Sequence, residues 1–520
     1  MPISGPPLDA RADLPGLLRV GLAADPDGIA LVSLERRVTW RQLEAASLRY
    51  AGRLLDLGLR PGDRVASLMP NRTALIVHYL ACMKAALVAT PLNYRYRPPE
   101  IDHALAVSGA SAILAHAERS ADLAESKEIA RLRIPPITYD GDAGGSSTYE
   151  GLMAGDPTPR ELPTPDPDVP AFIFFTSGST GPPKGVTHTQ RTYGWIAASL
   201  ARALELSSDD VAMPGSSLSH IGSSKLALAA LSVGAPLSIA RTFDGDELLP
   251  LMRDTRPTVA YILPAALFAL IRDHDAQPDD FASLRFVVAA GDKIPAELER
   301  EFTEMVGSEI HEGYGMTEIG TSHLNPPSGV NKIGSVGNAN PTFSSSIRDE
   351  SGKEVAADAE GRHWVAGPTV MRGYWDDPEA TATAITDGWL DTGDLMKADA
   401  DEYLWFRGRK KQIIVHDGSN INPEDVEEAL VAHPAVAAAG VVGVHDEMHG
   451  ENVWAYVTLR DGAARPTSQD IIRSAREQIG YKAPDVIVFL DEMPQTATGK
   501  VDRSSLKRMA AERVGAHHPA

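Results

Sequence analysis

Between Phe175 and His188 the chain reads FTSGSTGPPKGVTH. An apolar run, Ala171 to Phe175, ends there, and three glycines, two prolines, five hydroxyl residues and a single lysine follow. Such a segment has almost nothing to bury, so an ordered form of it needs a ligand. Glycine-rich turns aim successive backbone N–H groups at one anion, hydroxyls add donors and a lysine adds charge. Thr176, Ser177, Gly178, Ser179, Thr180, Gly181 and Lys184 are therefore candidate polyphosphate binders. The pattern is not the ordinary P-loop: Lys184 lies between Pro183 and Gly185, with no Ser or Thr directly after it. A kinase or GTPase is disfavoured on that ground. The bland alternative, a solvated surface loop, fits poorly with a position between a buried strand and a helix.

The elements that would position this loop read as α/β. "VTWRQLEAASLRYAGRLLDLGL" has helical periodicity closed by Gly58, and "RVASLM" reads as a strand after the Arg60–Asp63 turn. A Pro-, Gly- and Asp-rich stretch, 136–170, reads as linker. From Ala171 a second α/β stretch begins, with "VTHTQRTYGWIAASLARAL" as a helix and "PLSIA", "TVAYIL" and "LRFVVAAG" as short buried strands. Between Gly334 and Arg407 short runs broken by Gly, Asp and Pro suggest antiparallel strands or a small barrel. Then Asn422 as cap, Pro423 at the first helical position and Asp425 in the first turn start a clean helix. The fold expected is a large domain, 1–409, of two α/β subdomains and a β-barrel-like one, followed by a small mobile α+β domain, 410–520.

A formal charge of −21 argues against a general nucleic-acid or anionic-membrane binder, though local donors can still hold a phosphate ligand. The most apolar stretch, Leu226 to Ala240, is too short and too interrupted to span a membrane. The segment MPISGPPLDARADLPG lacks signal-peptide character, so a cytoplasmic protein is expected. One cysteine, Cys82, excludes an intrachain disulfide and a thiolate metal cluster, and its apolar neighbours make it a core thiol.

Six motifs occur in one order: the Thr176–Gly185 loop, "YGMTE" at 314–318, "GWLDTGDL" at 388–395, "GRKKQII" at 408–414, "DGSNINPEDVE" at 417–427 and "PQTATGKVDR" at 494–503. In these the chain resembles the adenylate-forming superfamily, closest in pattern to acyl- and aryl-CoA synthetases, over nearly its whole length. The resemblance implies ATP, Mg²⁺ and coenzyme A as partners of a carboxylic acid, which becomes an acyl-adenylate and then a thioester. It places Lys500 at the substrate carboxylate and α-phosphate, the Thr176–Lys184 set on the β/γ-phosphates, Glu318 on Mg²⁺ and Thr317 on the α-phosphate. Tyr314, with the backbone of Ala290, Gly291 and Asp292, would hold adenine; Asp394 and Arg409 would hold the ribose. Outside its motif, Asp394 would read as an ordinary turn cap.

The same resemblance implies that the small domain rotates between the two reactions. Lys411 matches the hinge, although Gln412 departs from the acidic residue common after a hinge Asp. Gly418 and Ser419 would line the pantetheine path. His220 falls at a position beside the carboxylate, although by chemistry alone a histidine heading an apolar helix is more often structural. Ser219, His220, Gly222, Ser223, Val288, Gly315 and Ile319 are candidate walls of the acid pocket. The segment His220–Ala230 has no acidic residue, which disfavours an α-amino acid. Lys225 reads first as a side chain snorkelling to solvent and second as a partner for another carboxylate. His311 and His323 form no recognisable zinc set. Loading of a carrier-protein phosphopantetheine and a non-catalytic nucleotide-binding role are the alternatives, and the oligomeric state is unassigned.

Overall fold

The computed structural model describes residues 2–141, 148–155, 161–176, 183–290, 294, 296–409, 412–416, 419–446, 450–496 and 499–517. The chain divides into two compact units. One comprises Met1–Ser346, Trp364–Asp391 and Glu402–Leu404; the other Ile347–His363, Thr392–Asp401 and Trp405–Ala520.

Two sheets lie wholly within the first unit. The seven-stranded sheet runs Gly373–Tyr374, Gly185–Thr189, Pro170–Phe175, Val88–Pro91, Arg64–Leu68, Ala112–His116, Ile137–Tyr139. The nine-stranded sheet has a parallel centre, Phe286–Ala290, Val259–Ile262 and Ala212–Gly215, flanked on one side by His311–Met316 and the returning Gly320–Leu324. Residues of both sheets, among them Val65, Leu114 and Phe172 of one and Leu31, Val259 and Phe286 of the other, share one hydrophobic cluster. Helix Thr73–Lys84 belongs to it and is buried from Ala74 to Lys84. A helix apolar on every face has to lie inside a core, which is why its sequence shows no amphipathic stripe. Cys82 sits on it, wholly buried, and burial pushes its thiol well above the ordinary range.

The segment expected to be helical from Val186 is corrected here. Gly185–Thr189 is a strand, antiparallel to Pro170–Phe175, and the helix begins at Gln190 and ends at Ala203. Val186, Thr187 and Thr189 are β-branched and favour the extended form. Thr189 then caps the helix: its hydroxyl accepts from Thr192 N, and Thr192 Oγ1 accepts from Thr189 N in return.

The short runs expected as antiparallel strands form a six-stranded sheet, ordered Ile3–Ser4, Ser344–Arg348, Glu360–Ala366, Trp389–Ala398, Ile385–Thr386, with Leu404–Arg409 paired to Trp389–Ala398. Farther on, Val436–Asp446 pairs antiparallel with Gly450–Leu459, to which Val486–Phe489 adds a parallel strand. Helices Pro423–Val431 and Ser468–Ile479 supply Val426, Leu430, Ile471 and Ile472 to the core of this α+β region. The Asn422 cap is present, its side chain accepting from Glu424 N.

Candidate functional site

Strand Pro170–Phe175 delivers Thr176, whose N–H donates to the Lys184 carbonyl at 3.2 Å. That bond ties the two ends of the glycine-rich loop together. Ser177, Gly178, Ser179, Thr180 and Gly181 lie outside the described residues. Past the loop, Lys184 Nζ stands 4.9 Å from the centre of the Tyr374 ring. The Tyr374 hydroxyl donates to Glu318 Oε1 at 3.0 Å. Burial and the Glu318 carboxylate hold that phenol far above its ordinary pKa, so it stays a donor. Lys184 and Glu318, 134 residues apart by their numbers, thus meet on one aromatic side chain.

A second anchor holds the same loop. His188 Nε2 donates to the Thr317 carbonyl at 2.8 Å, and its Nδ1 lies 3.2 Å from Thr192 Oγ1. Burial pulls this histidine down to about 4, so it is neutral near pH 7. Because a carbonyl only accepts, the ring proton is on Nε2. Met371 N donates to the Glu318 carbonyl, fixing the following residue from the other side. Neither His188 nor Tyr374 was singled out from sequence. His188 sits in the strand misread as helix, and because all five residues of that strand are buried no alternation marks it out.

Strand Phe286–Ala290 pairs parallel with His311–Met316, bringing Ala290 opposite Gly313 and one residue from Tyr314. Tyr314 is buried; Gly291 and Asp292 lie outside the described residues. The hairpin bulges between Tyr314 and Gly315, and a Cβ on Gly315 would come within 2.0 Å of the Gly320 carbonyl oxygen. Gly315 is therefore required by a close backbone approach. His323 is buried and pulled down to about 3, with Nδ1 2.9 Å from Ser322 Oγ. Among the described residues no cluster of three histidine, cysteine or acidic side chains could hold a metal.

Of the expected acid-pocket residues, His220 precedes helix Ile221–Ser232, and Asn93 Nδ2 donates to its Nε2 at 2.9 Å. Ser219 is buried and its hydroxyl finds no partner among the described residues. Gly222 faces Tyr261: a Cβ there would lie 3.1 Å from the phenol oxygen. Tyr261 is opposite Val288 in the sheet. Ser223 pairs with Ser216 at 2.5 Å, deep in the core. Ile319 is fully buried in a cluster with Val186, Phe343 and Met371, so packing occupies its side chain. The snorkelling reading of Lys225 is corrected: the residue is only 6% exposed, because its helix is covered on all sides.

In the second unit Asp394 is almost fully buried on strand Trp389–Ala398 and accepts from Arg409 Nε at 2.9 Å. Its backbone N–H donates to Thr392 Oγ1. A buried carboxylate can accept from both hydroxyls of a neutral diol. Lys500 lies at the base of a turn, exposed, with Thr496 N donating to its carbonyl at 2.7 Å and its own N–H donating to Thr496 Oγ1. Gly499 beside it has φ +83°. Ser419 opens strand Ser419–Ile421; Lys411 and Gly418 lie outside the described residues.

Two family comparisons agree with this architecture. The AMP-binding enzyme family matches residues 18–375, and the AMP-binding enzyme C-terminal domain matches 425–500. The chain belongs to the AMP-binding enzyme family. It is 35% identical over 480 residues to a feruloyl-CoA synthase of Amycolatopsis sp, covering 91% of this chain and 94% of that one. The ATP-bound structure of MatB from Rhodopseudomonas palustris superposes with a TM-score of 0.88 at 28% identity, over 97% of this chain and all of that one. The o-succinylbenzoate CoA synthetase of Bacillus subtilis, solved with its acyl-adenylate intermediate, gives 0.84 at 28% identity, over 95% and 98%.

Proposed function

We propose that this chain is an AMP-forming acid–thiol ligase. It activates a carboxylic acid with ATP and hands the acyl group to the thiol of coenzyme A. The observation that carries the reading is the Lys184–Tyr374–Glu318 array, with His188 holding Thr317 beside it, in a member of the AMP-binding enzyme family. There a cation stands over a half-buried ring, a buried carboxylate accepts from that ring's hydroxyl, and a buried histidine holds the backbone of a hydroxyl residue, an ordering that suits phosphoryl chemistry.

In the first step a carboxylate oxygen of the acid attacks the α-phosphorus, and the bond to the β-phosphate oxygen breaks, releasing pyrophosphate. Thr176, Ser177, Ser179, Thr180 and Lys184, with the Gly178 and Gly181 backbone, hold the β- and γ-phosphates. Thr317 donates to the α-phosphate. Glu318 fits Mg²⁺: it is a buried hard-oxygen donor, and phosphate and water oxygens complete such a shell. When bound, that ion neutralises phosphate charge. Tyr314, Ala290, Gly291 and Asp292 receive adenine, and Asp394 with Arg409 receives the ribose. Lys500 neutralises charge growing at the α-phosphate as the anionic acid approaches, an interaction stronger in the transition state than before it. Ser219, His220, Gly222 and Val288 line the acid, with Gly315 at the edge through its backbone.

In the second step the thiol sulfur attacks the acyl carbon and AMP leaves. Residues 410–520 turn about Lys411 between the steps, withdrawing Lys500 and bringing Gly418 and Ser419 to the pantetheine arm. The acceptor thiol belongs to coenzyme A; no cysteine of this chain is needed.

Pyrophosphate release over short, medium, long and aromatic acids tests the first step. Transfer to coenzyme A measured beside transfer to a holo-carrier protein tests the acceptor. Lys500→Ala is expected to lower adenylate formation about 100- to 1000-fold, the scale of a lost charge-stabilising group. Thioester formation from supplied acyl-adenylate should change far less. Equal losses in both assays would contradict alternating use of the site.

A further inference from the structure

Two lysines of this protein are buried to the same degree, and their surroundings differ. Lys84 ends helix Thr73–Lys84 at 6% exposure, and its ammonium is fully engaged: both Glu44 carboxylate oxygens accept from it at 3.0 and 2.9 Å, and the Pro15 carbonyl at 2.9 Å. Lys225, also 6% exposed, has neither a hydrogen bond nor an ion pair among the described residues. The helix around it, Ile221–Ser232, is otherwise apolar from Leu226 to Leu231 and buried throughout that run. Burying an ammonium without a counter-charge is strongly unfavourable, and leucine or methionine would suit such a helix better. A lysine that the described residues leave unpaired at this depth is suited to a partner from outside the chain.

Its neighbours indicate where that partner enters. Lys225 follows Gly222 by three residues and shares its side of the helix. That side faces the sheet, since Gly222 stands directly before the Tyr261 hydroxyl. Glycine at 222 lets the helix approach that phenol, since a Cβ would come within 3.1 Å of its oxygen. The hydroxyls on the helix itself are paired: Ser223 with Ser216 at 2.5 Å, Ser224 with Tyr193 at 2.8 Å and Ser232 with the Ala229 carbonyl. Ser219, just before the helix, is not; its hydroxyl is buried and without a partner among the described residues. Two polar side chains that the described residues leave without partners, the Ser219 hydroxyl and the Lys225 ammonium, thus stand three residues before and three after Gly222. Burial also pulls the Lys225 ammonium down to about 7, so an anion beside it would restore the charge that burial opposes.

We infer that Lys225 selects the acid: the pocket takes a carboxylic acid carrying a second carboxylate at its far end, which pairs with the Lys225 ammonium while the first carboxylate is activated. This rests on the ligase reading above and narrows its substrate to dicarboxylic acids. Along a helix the advance from His220 to Lys225 is roughly 7.5 Å, at about 1.5 Å per residue, enough to separate the two ends of one small acid.

The test compares matched pairs, each a dicarboxylic acid and its half-ester or the monocarboxylic acid of equal length, by pyrophosphate release with ATP and Mg²⁺. The wild-type chain should favour the dicarboxylic member in kcat/KM by at least about tenfold. In Lys225→Met that preference should collapse by about 30-fold or more, the scale of a buried charge losing its partner, with the neutral-tailed acids unchanged or improved. Lys225→Arg, keeping the charge, should recover part of the preference, and thermal melts of both variants verify folding. Wild-type preference for the neutral-tailed member, or Lys225→Met lowering both members alike, overturns the inference and leaves the ligase reading standing. Pyrophosphate from none of the acids overturns both.

Discussion

Tyr374 carries no charge, yet two charged residues of the candidate site meet on it. Its ring lies under Lys184 and its hydroxyl donates to Glu318. Tyr374→Phe keeps the ring and deletes only the bond to the carboxylate. A hydrogen bond to a charged group is worth about 1.5–3 kcal/mol, so adenylate formation should fall roughly tenfold or more, with a raised Mg²⁺ requirement. A titration of rate against Mg²⁺ that superposes on wild type would show that Tyr374 does not orient Glu318. At this scale the sequence was legible where residues cluster in one motif. Glu318 and Thr317 are adjacent, and the Thr176–Lys184 loop is continuous. It was illegible where a partner comes from afar. Nothing in "RGYW" announces that Tyr374 will reach Glu318, because that contact depends on the short strand Gly373–Tyr374 pairing with Gly185–Thr189. Lys225 was misjudged for a related reason: charge suggested an exposed helix edge, and its helix proved to be covered on every side.

The hairpin His311–Met316 to Gly320–Leu324 carries the most demanding backbone of the site. With Gly320 O only 2.0 Å from where a Gly315 Cβ would be, Gly315→Ala forces the strands apart at the bulge beside Tyr314. Overpacking of this kind costs about 1–3 kcal/mol or more. The melting temperature should drop by several degrees, and ATP binding should weaken more than acid binding. An unchanged melt would mean that the bulge yields without strain. Element type was readable where one signal dominated, as at the Asn422–Pro423 helix start. It failed at Val186–Thr189, where a strand and the helix after it run together without a glycine or proline between them. Thr189, which both ends the strand and caps the helix, was the overlooked boundary mark.

In the first unit burial pulls several histidines down, among them His78 and His188 to about 4 and His323 to about 3. Unfolded, each would titrate near 6.5, so between roughly pH 6.5 and 4 the unfolded chain binds more protons. Stability contributed by the neutral rings is complete above that range and is lost as pH falls through it, at up to roughly 1.4 kcal/mol per pH unit for each histidine. Urea midpoints measured at pH 7.5, 6 and 5 should decline steadily; a flat series would contradict the burial of these rings. No helix among the described residues is long and apolar enough to cross a membrane. Two shared traits, the buried helix Thr73–Lys84 and the sheets around it, were foreseen only as separate α/β runs, because a common core is a property of tertiary packing that no local period reports.

Cys82 adds a practical corollary. The sole sulfhydryl of the chain is enclosed and reluctant to ionise, so maleimide reagents should pass over it. Cysteines installed at exposed Leu48 and Tyr481, one in each unit, would then take fluorophores against a dark background. Energy transfer between such dyes, followed through nucleotide, acid and thiol addition, would record any swing of the smaller body in real time.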